Sequence, residues 1–351
     1  MVHKVTNVSR EASMVTLQQA IQNYVTTLTT EGKSPTYTGW LNRRLRDFNT
    51  FLEKERHKTI FLQDLSVDEA RAFIKWLMDK PIKYTNHINR IPLPENLAAS
   101  TVHGYARAIR SFGTFLMEEG YTEENVFLAL KPPKLPKKII EPLSEDEIRR
   151  ILTVIPRDTI EGLRNYAIFL LLLDTGIRLS EMLTLKLEAI DFGEGVFKVM
   201  GKGAKEREVP LGSTAQRALI RYIELARPQP LNPNNPFVFL NMEGTQGTQQ
   251  MVAQMLKRVA KRAHLKHLYP HLLRHAFAVR YLMNGGDAFS LQKILGHESL
   301  DMTRRYVELA NTDIKKKHLV FSPVDNLNLA ETGRGRPRRQ VQGKLGRLAN
   351  I

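Results

Sequence analysis

The chain has 351 residues, with 52 Lys+Arg against 36 Asp+Glu, a formal charge of +16, 42% hydrophobic residues and no cysteine. That length suits two or three domains with ample core, and the apolar fraction is too high for an intrinsically disordered chain. The charge favours a polyanionic partner, either nucleic acid or an anionic membrane, while the missing cysteine excludes a disulfide scaffold, a thiolate zinc site and a cysteine nucleophile.

The longest apolar run, Ala167 to Leu173, falls far short of the roughly 20 residues that span a bilayer. The first thirteen residues, MVHKVTNVSREAS, lack the apolar core of a signal peptide. A cytoplasmic protein with no membrane partner is therefore expected, its excess charge directed at nucleic acid.

In chain order, residues 1–14 form an N-terminal extension and four amphipathic helices fill residues 15–130. Val15–Glu31 places Leu17, Ile21, Tyr24, Val25 and Leu28 on one face, and Trp40–Glu55 places Leu41, Leu45, Phe48 and Leu52 together. Ser66–Met78 opens on a capping box from Ser66 to Glu69, and Thr101–Glu118 carries Tyr105, Ile109, Phe112, Phe115 and Leu116. Arg43 and Arg44 on the second helix, with Arg107 and Arg110 on the fourth, are candidate DNA contacts. The Pro- and Asn-rich stretch Lys80–Ser100 reads as a long loop. Residues 131–142, KPPKLPKKIIEP, form an extended, semi-rigid basic linker; its Lys134 and Lys137 are further candidate DNA contacts.

A second domain, residues 143–320, opens on another capping box, Ser144 to Glu147. Helical periodicity covers Ser144–Ile155, Leu163–Asp174 and Leu179–Leu185. Between Val196 and Leu211 the pattern becomes strand, glycine-rich turn, strand. A helix over Thr214–Arg227, a short strand over Phe237–Leu240 and four helical stretches from Met251 to about Val320 follow. Residues 321–351 turn polar, basic and Gly/Arg-rich, a tail outside any core.

Chemistry concentrates in this second domain. Gly244 to Gly286 contains no Asp or Glu but carries seven Lys and Arg residues and four histidines. It therefore offers no carboxylate ligands for Mg²⁺ and suits a phosphate held by charge-assisted hydrogen bonds. His271 and Arg274 share a helix face; alone they would read as a solvated basic face, or His271 and His275 as a metal pair lacking a third ligand. Leu295-Gly296-His297 follows, then Tyr306, which alone reads as a core aromatic sharing a face with Met302 and Leu309. Upstream, Asp174 to Glu181 turns tightly into a new helix and sets Arg178 at its N-terminus, where amides and dipole favour an anion. Lys202 stands in a glycine-flanked hairpin turn that would equally suit an ordinary surface lysine.

In this order, TGIRLSE (175–181), GKGAKEREVPL (201–211), HLLRH (271–275), LGHES (295–299) and Tyr306 resemble the tyrosine recombinase (phage integrase) family, at a spacing close to that of bacterial Xer-type recombinases. The resemblance covers Leu143 to Lys317, and the first domain looks like the family's four-helix core-binding domain. It implies an all-α core-binding (SAM-like) domain followed by a mainly α catalytic domain with a small antiparallel β-sheet. It also implies roles. Tyr306 would attack the scissile phosphodiester and form a 3′-phosphotyrosyl bond, with no energy cofactor. Arg178 and Arg274 would hold the non-bridging oxygens, and Lys202 would protonate the leaving 5′-oxygen. His271 would act as general base, and His297 would bond the phosphate and brace Tyr306. Glu181 and Asp174 read as structural. No cofactor and no metal are implied.

Double-stranded DNA core sites are the implied partner, bound by a homo-tetramer in the synaptic complex and a monomer or dimer off DNA. An accessory DNA-bending factor or a second recombinase stays open. Only 14 residues precede the first helix, so the arm-binding domain of lambda-type integrases is not expected. Asp313–Val324 is the candidate segment for docking on a neighbouring protomer. Arg334 and Arg336, in RGRPRR, resemble an AT-hook core entering an A·T minor groove, although a generic basic tail fits as well. The expected role is integration or transposition of a mobile element, with replicon dimer resolution and type IB topoisomerase-like relaxation as alternatives; the full set of six residues argues against a non-catalytic DNA-binding protein. Activity is expected to persist in EDTA, and complete loss on chelation would restore a metallonuclease reading.

Overall fold

The structure, a computed structural model, describes residues 15–79, 96–135, 141–201, 206–310, 318 and 322. The N-terminal extension, most of the Lys80–Ser100 stretch, Lys137, Lys202, nearly all of Asp313–Val324, and Arg334 and Arg336 lie outside the described residues. The chain separates into two compact units, Met1–Ile139 and Ile140–Ile351.

The first unit holds α1 (Leu17–Thr30), α2 (Pro35–Arg56), α3 (Val67–Asp79) and α4 (Ala99–Glu118). α1 starts where Thr16 and Gln19 cap one another: the Gln19 amide donates to Thr16 Oγ1 at 3.2 Å and the Thr16 amide to Gln19 Oε1 at 3.0 Å. α2 begins at Pro35, ahead of the apolar pattern at Trp40, because Ser34 caps the Tyr37 amide and proline suits the first helical position. The apolar faces meet on Phe48, Phe73, Phe112 and Phe127, each fully buried, with Phe48 and Phe73 ring centroids 5.2 Å apart.

The second unit contains α5 (Glu145–Val154), α6 (Ile160–Thr175), α7 (Leu179–Leu183), β1 (Ile190–Asp191), β2 (Val196–Met200), β3 (Glu206–Pro210), α8 (Ser213–Leu225), α9 (Gln249–Arg262), α10 (Pro270–Met283), α11 (Ala288–Leu295) and α12 (Leu300–Leu309). α6 is apolar nearly all round and is buried accordingly, with Ile168, Phe169, Leu171 and Leu172 fully enclosed. The antiparallel sheet runs β1-β2-β3, pairing Phe197 with Val209 and Val199 with Arg207. Alternation sends Phe197, Val199 and Val209 inward and leaves Lys198, Met200 and Glu208 exposed.

One local expectation changes. Phe237–Leu240 is not a strand but two isolated bridges, Lys186 to Phe237 and Leu240 to Gln246. Its carbonyls are taken by side chains instead: Arg227 Nη2 donates to Phe237 O at 2.9 Å and Nε to Val238 O at 3.2 Å. β1 replaces it as third strand, a two-residue element too short to leave a period. Among the described residues no helix is long and apolar enough to cross a membrane.

Phe112, fully buried against Tyr24 and Phe115, anchors the first unit. Phe112→Ala is expected to lose about 3–5 kcal/mol, read as a lower urea midpoint; an unchanged midpoint would show that the four helices do not share this core.

Candidate active site

The site is organised by the last turn of α11. Asp287 starts this helix by accepting from the Phe289 and Ser290 amides, each at 2.9 Å. Gly296 ends it in the left-handed conformation, φ 63°, ψ 50°. The carbonyls of Ile294, Leu295 and Gly296 then face three arginines from elsewhere in the chain. Arg207 Nε donates to Ile294 O at 2.9 Å, Arg274 Nη2 to Leu295 O at 2.9 Å and Arg178 Nη2 to Gly296 O at 3.2 Å. Orphan carbonyls and the negative end of the helix dipole both call for cations here. Gly296 is needed for its dihedral, and a Cβ there would press on the Arg207 guanidinium, 3.0 Å from Cζ.

A second anchor is Glu181, which is 5% exposed. Arg207 forks onto it, Nη1 to Oε1 at 2.9 Å and Nη2 to Oε2 at 2.8 Å. Arg178 adds Nη1 to Oε1 at 2.9 Å and its own amide to Oε2 at 2.8 Å. Burial pushes the Glu181 carboxyl up, but the hydrogen bonds from Arg207 and Arg178 outweigh it and hold the group below the usual glutamate range. This corrects the expectation for Arg178: α7 has only five residues, and Glu181 already caps the amide at its start. The anion-attracting feature is the guanidinium, not the helix dipole.

Arg274 lies inside α10, 5% exposed, and Nη1 donates to Gly176 O at 2.7 Å. Gly176 closes α6 at φ 60°, where a Cβ would meet Phe277 Cδ1 at 2.3 Å. Burial, then the neighbouring Arg178, lower Arg274 to about 10, so it remains charged at neutral pH. Three guanidinium groups against the single Glu181 carboxylate leave two positive charges in excess.

Beside this cluster sits Tyr306, half-buried on α12. Its ring lies 6.1 Å from that of His297 at an 11° interplanar angle and 5.2 Å from that of His275. His297 is buried, and its Nδ1 is hydrogen-bonded to Thr303 Oγ1 at 2.9 Å, with Thr303 fully enclosed. Burial, reinforced by Arg274, Arg178 and Arg207, lowers His297 to about 4, which makes it a neutral imidazole at pH 7. The inward face of α12 keeps Tyr306 and Leu309 as expected but not Met302, which is 50% exposed; Thr303 and Val307 turn inward with them.

The structure thus brings Arg178, Arg274, His297 and Tyr306 together. His271 is exposed at the second position of α10, one turn before the buried Arg274. His275 is buried against Tyr306 while His271 faces solvent, so the two do not form a metal pair. Among the described residues no group of three or more His, Cys, Asp or Glu could hold a metal ion. Asp174 accepts from the Gly212 amide at 2.7 Å, tying α6 to the start of α8. Sequence reasoning missed Arg207, Thr303 and the contact of His275 with Tyr306. Arg207 had a signal: it shares the inward face of β3 with Val209, where a cation needs a partner.

In the first unit Arg107 and Arg110 line a cavity of about 650 Å³ with Ser34, Tyr37 and Trp40. Arg43 and Lys134 are exposed. Arg44, the other candidate DNA contact of α2, is half-buried. Its guanidinium packs 4.0 Å from the Trp40 ring centroid and 5.1 Å from that of Tyr105, bonding the Trp40 carbonyl at 3.2 Å.

Residues 141–313 match the phage integrase family. Tyrosine recombinase XerC of Oceanobacillus iheyensis is 37% identical over 238 residues, 67% of this chain and 78% of the relative. Tyrosine recombinase XerD of Staphylococcus saprophyticus is 32% identical over 296 residues, 84% of this chain and 94% of the relative. Among solved structures, the Tn1549 transposon integrase in complex with a circular intermediate DNA superposes with a TM-score of 0.64 at 20% identity, covering 83% of this chain and 94% of that one. XerH site-specific recombinase bound to palindromic difH substrate gives 0.63 at 20%, covering 84% and 81%. These structures share the fold: a helical unit followed by a mainly helical unit with a small antiparallel sheet.

The depressed His297 makes a signed prediction. As pH falls from 6.5 towards 4, the unfolded chain takes up a proton that folded His297 refuses, so this contribution to stability is present above 6.5 and is lost through about 4. Urea midpoints of the parent and His297→Gln between pH 8 and 4 should show the parent's relative stability shrinking over that window. A gap independent of pH would contradict a buried neutral imidazole.

Proposed function

The chain belongs to the phage integrase family of tyrosine recombinases, enzymes that cleave and rejoin DNA, and from that premise we propose that it is a site-specific recombinase acting on duplex core sites with Tyr306 as nucleophile. The carrying observation is the juxtaposition of Tyr306 and His297 with an arginine cluster that has two positive charges in excess. A phosphodiester brings one negative charge, and the pentacoordinate transition state develops a second. Arg178 and Arg274, already fixed by backbone carbonyls, meet that charge without reorganising.

The Tyr306 oxygen attacks phosphorus while the bond to the 5′-oxygen breaks. The phenolic proton passes to His271, the exposed general base of α10. Lys202 delivers a proton to the departing 5′-oxygen. Neutral His297 hydrogen-bonds the phosphate through the ring nitrogen that Thr303 leaves available. The product is a 3′-phosphotyrosyl bond and a free 5′-hydroxyl, so the phosphate ester energy is conserved. Attack by the 5′-hydroxyl of a second duplex reverses the step on a new partner, and two such exchanges pass through a Holliday junction in a tetramer. Residues 15–130 serve as the core-binding clamp, 131–142 as linker and 143–320 as catalytic domain. Arg107 and Arg110 in the first unit hold backbone phosphates, as does Arg43.

Two biological roles follow from the same chemistry. Relatives named XerC and XerD at 32–37% identity support resolution of replicon dimers, whereas the basic tail with Arg334 and Arg336 supports a mobile element. The deciding experiment incubates the protein with nicked duplexes randomised across the core and sequences the adducts that survive denaturation. The recovered site should match either a replicon locus or element ends. Tyr306→Phe should bind the recovered duplex with parental affinity and form no adduct. An adduct in that variant would move the nucleophile to another tyrosine, such as Tyr281 or Tyr269, and supercoil relaxation without any consensus would favour the topoisomerase-like reading.

A further inference from the structure

Arg207 belongs to none of the six groups assigned a chemical role, yet all of its guanidinium nitrogens are spent within the site. Two of them fork onto Glu181 at 2.9 and 2.8 Å, and the third donates to Ile294 O at 2.9 Å. Its side chain is 14% exposed and that of Glu181 4%, so the pair is held away from solvent screening. Glu181 and the turn that begins at Ile294 also hold the phosphate-binding arginines. Glu181 orients Arg178 through Oε1, and the turn that follows Ile294 supplies the carbonyls for Arg274 and Arg178. Arg207 and Arg178 both bridge the two anchors, and Arg207 commits all three of its guanidinium nitrogens to doing so. It reaches them from β3, where it pairs with Val199, and Gly296 keeps open the space beside its guanidinium.

We propose that Arg207 is a positioning residue that locks Glu181 to the end of α11 and thereby sets Arg178 and Arg274 for the scissile phosphate. A lysine cannot replace it, because a single ammonium cannot fork onto a carboxylate and reach a carbonyl at once. The proposal rests on the recombinase reading above. It separates from a general packing role by the substrate. A residue that places phosphate-binding cations matters only when the phosphate carries charge to be neutralised.

The test uses the duplex recovered by adduct selection, prepared with a normal scissile phosphodiester, with a neutral methylphosphonate at that position, and with a 5′-bridging sulfur. Single-turnover adduct formation is measured for the parent, Arg207→Ala and Arg207→Lys, alongside duplex affinity and thermal unfolding. On the phosphodiester both variants should bind with near-parental affinity and cleave about 10- to 100-fold more slowly, the range for partners that orient a reacting group. On the methylphosphonate most of that penalty should disappear. An equal penalty on both linkages would overturn the proposal, as would unchanged cleavage of the phosphodiester. Rescue by the bridging sulfur alone would also overturn it, since the sulfur removes only the need to protonate the leaving group. Should Arg207→Ala fail to fold, Arg207→Lys alone carries the comparison. No adduct from the parent on any duplex would instead sink the recombinase reading, and this proposal with it.

Discussion

The second unit depends on one arrangement: the terminal carbonyls of α11 and the Glu181 carboxylate together hold three guanidinium groups that would otherwise repel one another. Neither side is stable alone. Buried carbonyls without donors cost about 1–3 kcal/mol each, and a buried arginine without acceptors is worse. Brought together, they satisfy each other's hydrogen bonds while leaving the charge uncompensated. That imbalance is visible in its effects, for burial and the neighbouring cations depress both Arg274 and His297. The fold holds positive potential rigidly at one place.

The same arrangement explains how Tyr306 is placed. α11 ends on Gly296, His297 follows at once, and α12 begins three residues later with Thr303 and Tyr306 on its inward side. Thr303 orients the His297 ring and His297 flanks Tyr306, so the carbonyls that hold the cations, the imidazole and the phenol belong to one short continuous stretch. A rotation of α12 would move the hydroxyl that holds His297 together with the phenol beside it. The placement of Tyr306 and the orientation of the histidine are thereby coupled, which suits the proposed attack by Tyr306 on a bound phosphate.

Much of this was legible in the sequence. The capping boxes at Ser66 and Ser144 form with reciprocal hydrogen bonds, because both partners lie within one helical turn. The hairpin over Val196 to Leu211 was readable from alternation and glycine. Arg178, Arg274, His297 and Tyr306 stood out through their order along the chain, and they converge. What escaped was long-range pairing. Nothing local says that Arg207 meets the Ile294 carbonyl 87 positions away, or that Arg227 takes the carbonyls of the Phe237 segment and denies it a strand. The packing of Arg44 between Trp40 and Tyr105 was not legible either, because Tyr105 lies on another helix. Met302 misled because an apolar residue at helical spacing need not lie on the buried face.

The central claim is that the charge concentrated by Arg178, Arg207 and Arg274 serves covalent attack by the tyrosine packed against His297. The most direct measurement is mass spectrometry of the protein–DNA adduct after nuclease and protease digestion. The account predicts one modified peptide, with a nucleotide joined through its 3′-phosphate to Tyr306. Attachment to any other residue, or through a 5′-phosphate, would contradict it.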